Sequence, residues 1–206
     1  LEMVTTDQIN AQSMKWKGFD ASDNYSFDAN EIHFIGGDYG QFNAGLDATY
    51  IEAYDYTSFT GETIQGAGNR NYRVAAVPPT PRIKANARLA WNMNDHQVVV
   101  YGRYLSSLNN VRDGDPFSTT NPATRGFFAL LGVTNPTPDR IGSFTTWDVQ
   151  YSTSFDTFFD GKTSVQLGML NAFDRKAQPL VTLGGLETAL YDPRNRTFYA
   201  RLRHEF

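Results

Sequence analysis

The sequence predicts an all-β chain, an antiparallel transmembrane β-barrel segment of about seven strands. Three observations carry that prediction. Stretch after stretch alternates apolar and polar residues with period two. Mean hydropathy is below zero, yet 14% of the 206 residues are aromatic. The connections between the alternating stretches are short and long in turn. A strand that crosses lipid turns apolar residues outward and polar residues to the lumen. The average therefore stays polar, while aromatics collect at the two interfaces.

The first strand is predicted over 17–27, with Phe19, Ala21, Tyr25 and Phe27 facing away from Asp20, Ser22 and Asn24; Asp23 interrupts the apolar face. The second, 41–56, sets Phe42, Ala44, Leu46, Ala48 and Tyr50 against Gln41, Asn43, Gly45, Asp47 and Thr49. That alternation lasts about ten residues, the length a tilted strand needs to cross a bilayer. Its apolar face is expected to carry an interfacial aromatic at each end, Phe42 at one, Tyr50 and Tyr54 at the other. The third strand, 82–91, opposes Ile83, Ala85, Ala87, Leu89 and Trp91 to Lys84, Asn86 and Arg88. Inward cations suit a wet lumen better than a dry core. After a tight turn at 93–96, the fourth strand, 97–108, places Val98, Val100, Gly102 and Tyr104 opposite Arg103. Val99 and Tyr101 are apolar exceptions on its polar face. The fifth, 144–155, divides Trp147, Val149, Tyr151 and Phe155 from Asp148, Gln150 and Ser152. The sixth, 163–171, divides Val165, Leu167 and Met169 from Gln166 and Gly168. In the last, 196–206, Phe198, Ala200, Leu202 and Phe206 share a face with His204 and oppose Tyr199, Arg201, Arg203 and Glu205.

The connections 28–40, 94–96 and 156–162 form the shorter set, and 57–79, 109–142 and 172–193 the longer, rich in Gly, Pro, Asn and Thr. Long loops on one side and short turns on the other is the layout of an outer-membrane barrel. The long loops would be extracellular and the last strand would end on the periplasmic side. Seven strands alone would leave two open edges, which lipid does not tolerate, and bacterial single-chain barrels use even numbers. The chain is therefore expected to be part of a larger barrel, and its start on Leu1 in place of an initiator Met agrees.

Several function classes are disfavoured. The net charge is -4 and the basic residues are scattered, so no nucleic-acid partner is expected. There is no cysteine, hence no disulfide framework. His33, His96 and His204 are far apart, with no metal-site spacing. No nucleophile–base pair is legible, so the chain is not read as an enzyme, and no cofactor is expected.

Several motifs together resemble the C-terminal barrel of TonB-dependent outer-membrane receptors. The stretch Gly168–Pro179, GMLNAFDRKAQP, is similar to the family's N-L-F-D-x-x-P element. Tyr191–Leu202, YDPRNRTFYARL, is similar to its Y-D-x-x-G-R-x-F-Y ending, with Asn195 where Gly is usual. Lys17–Asp20, Leu46–Tyr54 and Trp147–Tyr151 resemble its K-G-x-D, T-Y-x-x-x-Y and W-D-L-Q-Y elements. The elements occur in the family's order and cover nearly the whole chain. The resemblance implies that residues 1–206 are the C-terminal part of a 22-stranded barrel, its last seven strands, in a bacterial outer membrane. It implies an N-terminal plug domain, absent from this sequence, and energy from a TonB–ExbB–ExbD complex. It implies import of a scarce solute: a siderophore, cobalamin, haem or an oligosaccharide. Phe198, Leu202 and the terminal Phe206 would form the insertion signal read by the barrel assembly machinery.

The candidate ligand-binding residues are Lys84, Arg88, Arg103, Asp148 and Gln150 on the polar face, and Tyr72, Phe117 and Phe127 on the long loops. The first five would contact a plug or a passing solute; alternatively they hydrate the lumen and pair across strands. Loop aromatics, with Tyr56, Phe59 and Phe128 beside those named, suit stacking on a sugar or siderophore, or else packing of loop on loop. Asn171, Asp174 and Asp192 read as turn formers, with Pro193 fixing the backbone before the last strand. Two other classes stay open: a small self-contained barrel acting as an adhesin or structural protein, and a soluble β-sandwich lectin.

Overall fold

The computed structural model describes residues 13–31, 39–71, 77–111, 130, 139–157, 161–180 and 185–206. In chain order its elements are β1 (Ser13–Asp28), a 3-10 turn (Ala29–Glu31), β2 (Gln41–Thr57), β3 (Thr63–Gln65), β4 (Asn69–Asn71), β5 (Ile83–Met93), β6 (His96–Leu105), β7 (Leu108–Val111), β8 (Arg140–Ile141), β9 (Phe144–Thr157), β10 (Gly161–Leu170) and β11 (Thr197–Glu205). The chain is all-β. Seven long strands form one antiparallel sheet in the order β1-β2-β5-β6-β9-β10-β11, and β3 adds an eighth strand to the end of β2. The sheet is open: among the described residues β1 and β11 each have one neighbour.

The register turns the alternation within each strand into continuous rows across the sheet, because directly paired residues share a face. One row runs Phe27, Phe42, Trp91, Val98, Tyr151, Leu167, Ala200. The next on that face runs Tyr25, Ala44, Leu89, Val100, Val149, Met169, Phe198. Both are wholly apolar. On the other face one row reads Asp28, Gln41, Asn92, Gln97, Ser152, Gln166, Arg201, with no apolar residue. The two faces differ in exposure as well. Phe19, Tyr25, Leu46, Leu89, Leu167, Phe198 and Leu202 stand exposed on the apolar face, while Ala90, Val99 and Asp148 are buried on the polar one. Small residues sink on the polar face because long polar neighbours lie over them. Thus Val99, an exception in the sequence pattern, sits between Ala90 and Gln150, and Tyr101 accepts a hydrogen bond from Arg88 Nε at 3.3 Å.

Two glycines keep the rows tight. Gly168 pairs with Tyr199, whose ring lies where a Cβ on Gly168 would stand; the ring thus reaches across β10 and its hydroxyl donates to Gln150 Oε1 at 3.1 Å. On the apolar face Trp147 covers Gly102 in the same way. At the short-turn end Asn94 takes a left-handed φ of 51°, a conformation Asn tolerates better than most residues, and so closes β5 onto β6.

One expectation fails at a bulge. Gly18 pairs with Ile51 but Lys17 pairs with Ala53, so Glu52 is an extra residue in β2. A one-residue slip exchanges the faces. Beyond it Tyr54 leaves the apolar face, where the alternation had put it with Tyr50, and joins Ile51 and Tyr56 in a buried cluster with Ala67 and Val77. Trp16 follows, its ring 5.0 Å from that of Tyr54. Lys17 and Glu52 meet at 2.8 Å in an exposed ion pair.

The long connections contain structure that the period did not reveal. β4 pairs parallel with β7, and β7 antiparallel with β8, in a second, three-stranded sheet. The strand predicted to run through Leu108 ends at Leu105. Ser106 takes both backbone groups of Ile83, donating its N–H to the carbonyl and accepting the N–H on its hydroxyl. Leu108 then enters a core with Ile141, Leu180 and Tyr191. Burial of one such aliphatic side chain contributes about 1.5–3 kcal/mol. Arg70 and Glu187, both nearly buried, pair at 2.5 Å, and Arg70 also donates to Asn110. The turn expected over 156–162 is shorter, since β9 reaches Thr157 and β10 starts at Gly161.

Candidate functional site

The register places Lys84, Arg103 and Asp148 on the polar face near the long-loop end, where β5, β6 and β9 meet the start of β11. There they line a pocket of about 470 Å³. Its floor includes Leu105, Phe144, Leu170 and Leu190, and its walls include Asn86, Thr146, Asn171, Asn195 and Thr197. Phe144 and Leu190 pack against the Leu108 core, and the Phe144 ring meets that of Tyr191 at a tilt of 56° with centroids 4.8 Å apart. The pocket floor is thus the top of a core.

Asp148 organises this end of the face. It is 6% exposed. One carboxylate oxygen accepts from Arg103 Nη1 at 2.5 Å and the other from the Asn171 backbone N–H at 2.9 Å. Asn171, at φ 50°, clasps its own loop: its side chain accepts from Arg175 N and donates to Arg175 O, each at 2.9 Å. Asp174 accepts from Arg196 N at 3.0 Å, which fixes the entry to β11. The turn-forming reading of Asn171 and Asp174 is therefore what the geometry shows. Asn171 also lines the pocket, a second role that turn chemistry alone does not announce.

Asp192 and Arg194 stand at the pocket edge as an exposed pair, 2.6 Å at the closest. Hydrogen bonds from the Arg194 side chain and backbone hold the Asp192 carboxyl at about 2, and the same contact raises Arg194. Burial pushes the Tyr191 hydroxyl up, with Glu187 adding to it. At the opposite, short-turn end, Asp95 accepts from Ser154 and Lys162, and both lower its pKa.

Of the other predicted residues, Arg88 and Gln150 share the polar face but lie outside the pocket lining, each engaged by a tyrosine hydroxyl. Tyr72, Phe117, Phe127, Phe128 and His33 lie outside the described residues. Tyr56 packs into the loop-end core, whereas Phe59 is exposed at a turn. Phe198 and Leu202 are exposed on the apolar face; Phe206 is exposed, its ring edge-on to His204 at 4.3 Å. Asn86 and Thr146 were legible only as polar alternation; cross-strand register is what brings them beside Arg103. Among the described residues no group of three or more His, Cys, Asp or Glu is placed to hold a metal, and no helix is long and apolar enough to cross a membrane. No family model matches the chain, and no curated protein or solved structure does.

Proposed function

We propose that this chain is part of the wall of an outer-membrane β-barrel, and that the barrel is a TonB-dependent receptor that binds and imports a scarce solute. The observation that carries the reading is the pair of continuous apolar rows crossing all seven long strands, exposed or half-buried on one face and backed by a wholly polar row on the other. In water so wide an exposed apolar band is a liability; against lipid chains it is what a spanning sheet requires. The aromatic and apolar row of Phe42, Trp91 and Tyr151 stands toward one interface, and Phe19 with Tyr50 toward the other. The unpaired edges of β1 and β11 call for further strands, since backbone groups in lipid need partners; a 22-stranded closure supplies them. In this arrangement the long-loop end is extracellular and the short-turn end periplasmic. The polar face looks on the plug domain and the solute, TonB–ExbB–ExbD acts through the plug, and Phe198, Leu202 and Phe206 serve the assembly machinery.

The test is fractionation of native cells followed by gel migration with and without boiling, using an antibody to 185–206. A heat-modifiable band in the outer-membrane pellet, much larger than this chain, is expected. A heat-modifiable band of the chain's own mass would replace the receptor with a small self-contained barrel. Recovery in the soluble fraction would end the membrane reading and leave the β-sandwich lectin.

A further inference from the structure

We infer that the pocket over the Leu108 core takes an organic anion with an apolar body: a carboxylate carried on a hydrophobic ring or chain. The inference deepens the reading of the polar face as a solute path, and rests on it. It starts from charge. Lys84, Arg103 and Arg194 line the pocket, with Asp148 and Asp192 as its acids. Asp192 is engaged by Arg194, and Asp148 divides its oxygens between Arg103 and the Asn171 backbone. Lys84 has no carboxylate within ion-pair distance among the described residues; its cross-strand partners are Thr49 and Leu105. Among the described residues Arg103 gives Asp148 only Nη1, which leaves Nε and Nη2 for another acceptor. Arg103 and Lys84 occupy diagonal positions on neighbouring strands, since Arg103 pairs with Asn86 and Leu105 with Lys84. Diagonal pairs lie roughly 7–8 Å apart, so two cations, of which only Arg103 is paired with an acid, face the same space. A monoanion between them removes that repulsion and satisfies the open donors of Arg103.

The floor gives the second half. Leu105, Phe144, Leu170 and Leu190 supply the apolar part of the lining, and Leu105, Phe144 and Leu190 pack against the Leu108 core. A site of this volume with an apolar floor and a few fixed polar groups suits a small ligand lying flat on the floor, its charge directed to the wall. A polyhydroxylated solute would leave that floor wet. An inorganic anion would leave it empty.

The test uses the intact protein isolated from native cells and ligand-observed NMR titration. The probes are 2-naphthoate, its neutral amide 2-naphthamide, and glucuronate. Naphthoate is expected to bind at least about tenfold more tightly than the amide, the size of one charge-assisted hydrogen bond, and more tightly than glucuronate. Lys84→Gln should weaken naphthoate about tenfold while Lys84→Arg retains it. Lys84 is exposed and has no ion pair among the described residues, so both variants should fold normally. Equal binding of acid and amide, tighter binding of glucuronate, no saturable naphthoate binding, or indifference to Lys84→Gln would each overturn the inference. Membrane-inserted protein that fails these titrations loses the ligand class alone; protein recovered in the soluble fraction loses the membrane reading instead.

Discussion

The strand rows and the loop end of this molecule are built on opposite plans. At the loop end, Ile51, Tyr54 and Tyr56 close over Ala67 and Val77, and Leu108, Ile141, Leu180 and Tyr191 close on one another. Those clusters exclude water by themselves. Across the rows no such core forms among the described residues: Leu89, Leu167 and Phe198 lie open on one face, and Ser22, Asp47, Ser26 and Asn43 bond side chain to side chain on the other. The lesson is that one chain can draw its stability from two surroundings. The loop end is complete in water. The rows are completed by whatever meets their apolar face.

The comparison breaks most sharply at the buried ion pair. Glu187→Ala leaves Arg70 charged and unpaired among buried groups, which costs about 3–5 kcal/mol. Hydrogen exchange should show 69–71 and 108–111 opening while β9 and β10 stay protected. Equal loss in the strand rows would mean the two regions are one cooperative unit. Next comes Leu89→Arg, in the middle of an apolar row and 44% exposed. In a bilayer it should cost about 2–4 kcal/mol by denaturant titration in vesicles; on a water-facing surface the change would stay within about 0.5 kcal/mol. Asp148→Asn tests the joint between the regions. The amide keeps one acceptor oxygen but replaces the other with a donor and removes the charge that Arg103 and the Asn171 N–H share, which should cost about 1.5–3 kcal/mol, with raised exchange in 171–175 but not in 96–101. The smallest effect concerns Asp192. Its carboxyl is depressed from 3.8 to about 2 in the folded chain, so its contribution is complete above 3.8 and fades as pH falls through about 2. Carboxyl NMR should show that low midpoint, and Arg194→Gln should return it towards 3.8.

The rows were legible because period-two alternation survives in every long strand. Each of the seven predicted segments overlaps one long strand of the sheet, and of the five polar-face candidates Lys84, Arg103 and Asp148 line the pocket while Arg88 and Gln150 do not. The loop end was not legible, for a physical reason. Strands of two to four residues, such as β4, β7 and β8, have no period to read. The Leu108–Ile141–Leu180–Tyr191 core joins residues far apart in the chain, Leu108 at the end of a predicted strand and the other three in segments that look like loop. Asn171 and Asp192 were visible as turn formers, but their place beside Arg103 depends on how those loops fold back over the sheet. Tyr54 was assigned to the wrong face because a bulge is one residue long and leaves composition unchanged.

That extra residue, Glu52, acts as a half-turn in a ribbon. On one side of it Phe42 and Tyr50 stand on the apolar face; beyond it Tyr54 and Tyr56 stand on the polar face, and Lys17 and Glu52 pair in the open. A single codon thus sets the point along β2 at which the two faces of the sheet trade places. Removing it would not shorten the hairpin noticeably, but it would shift that exchange along the strand and turn Tyr54 and Tyr56 out of their core.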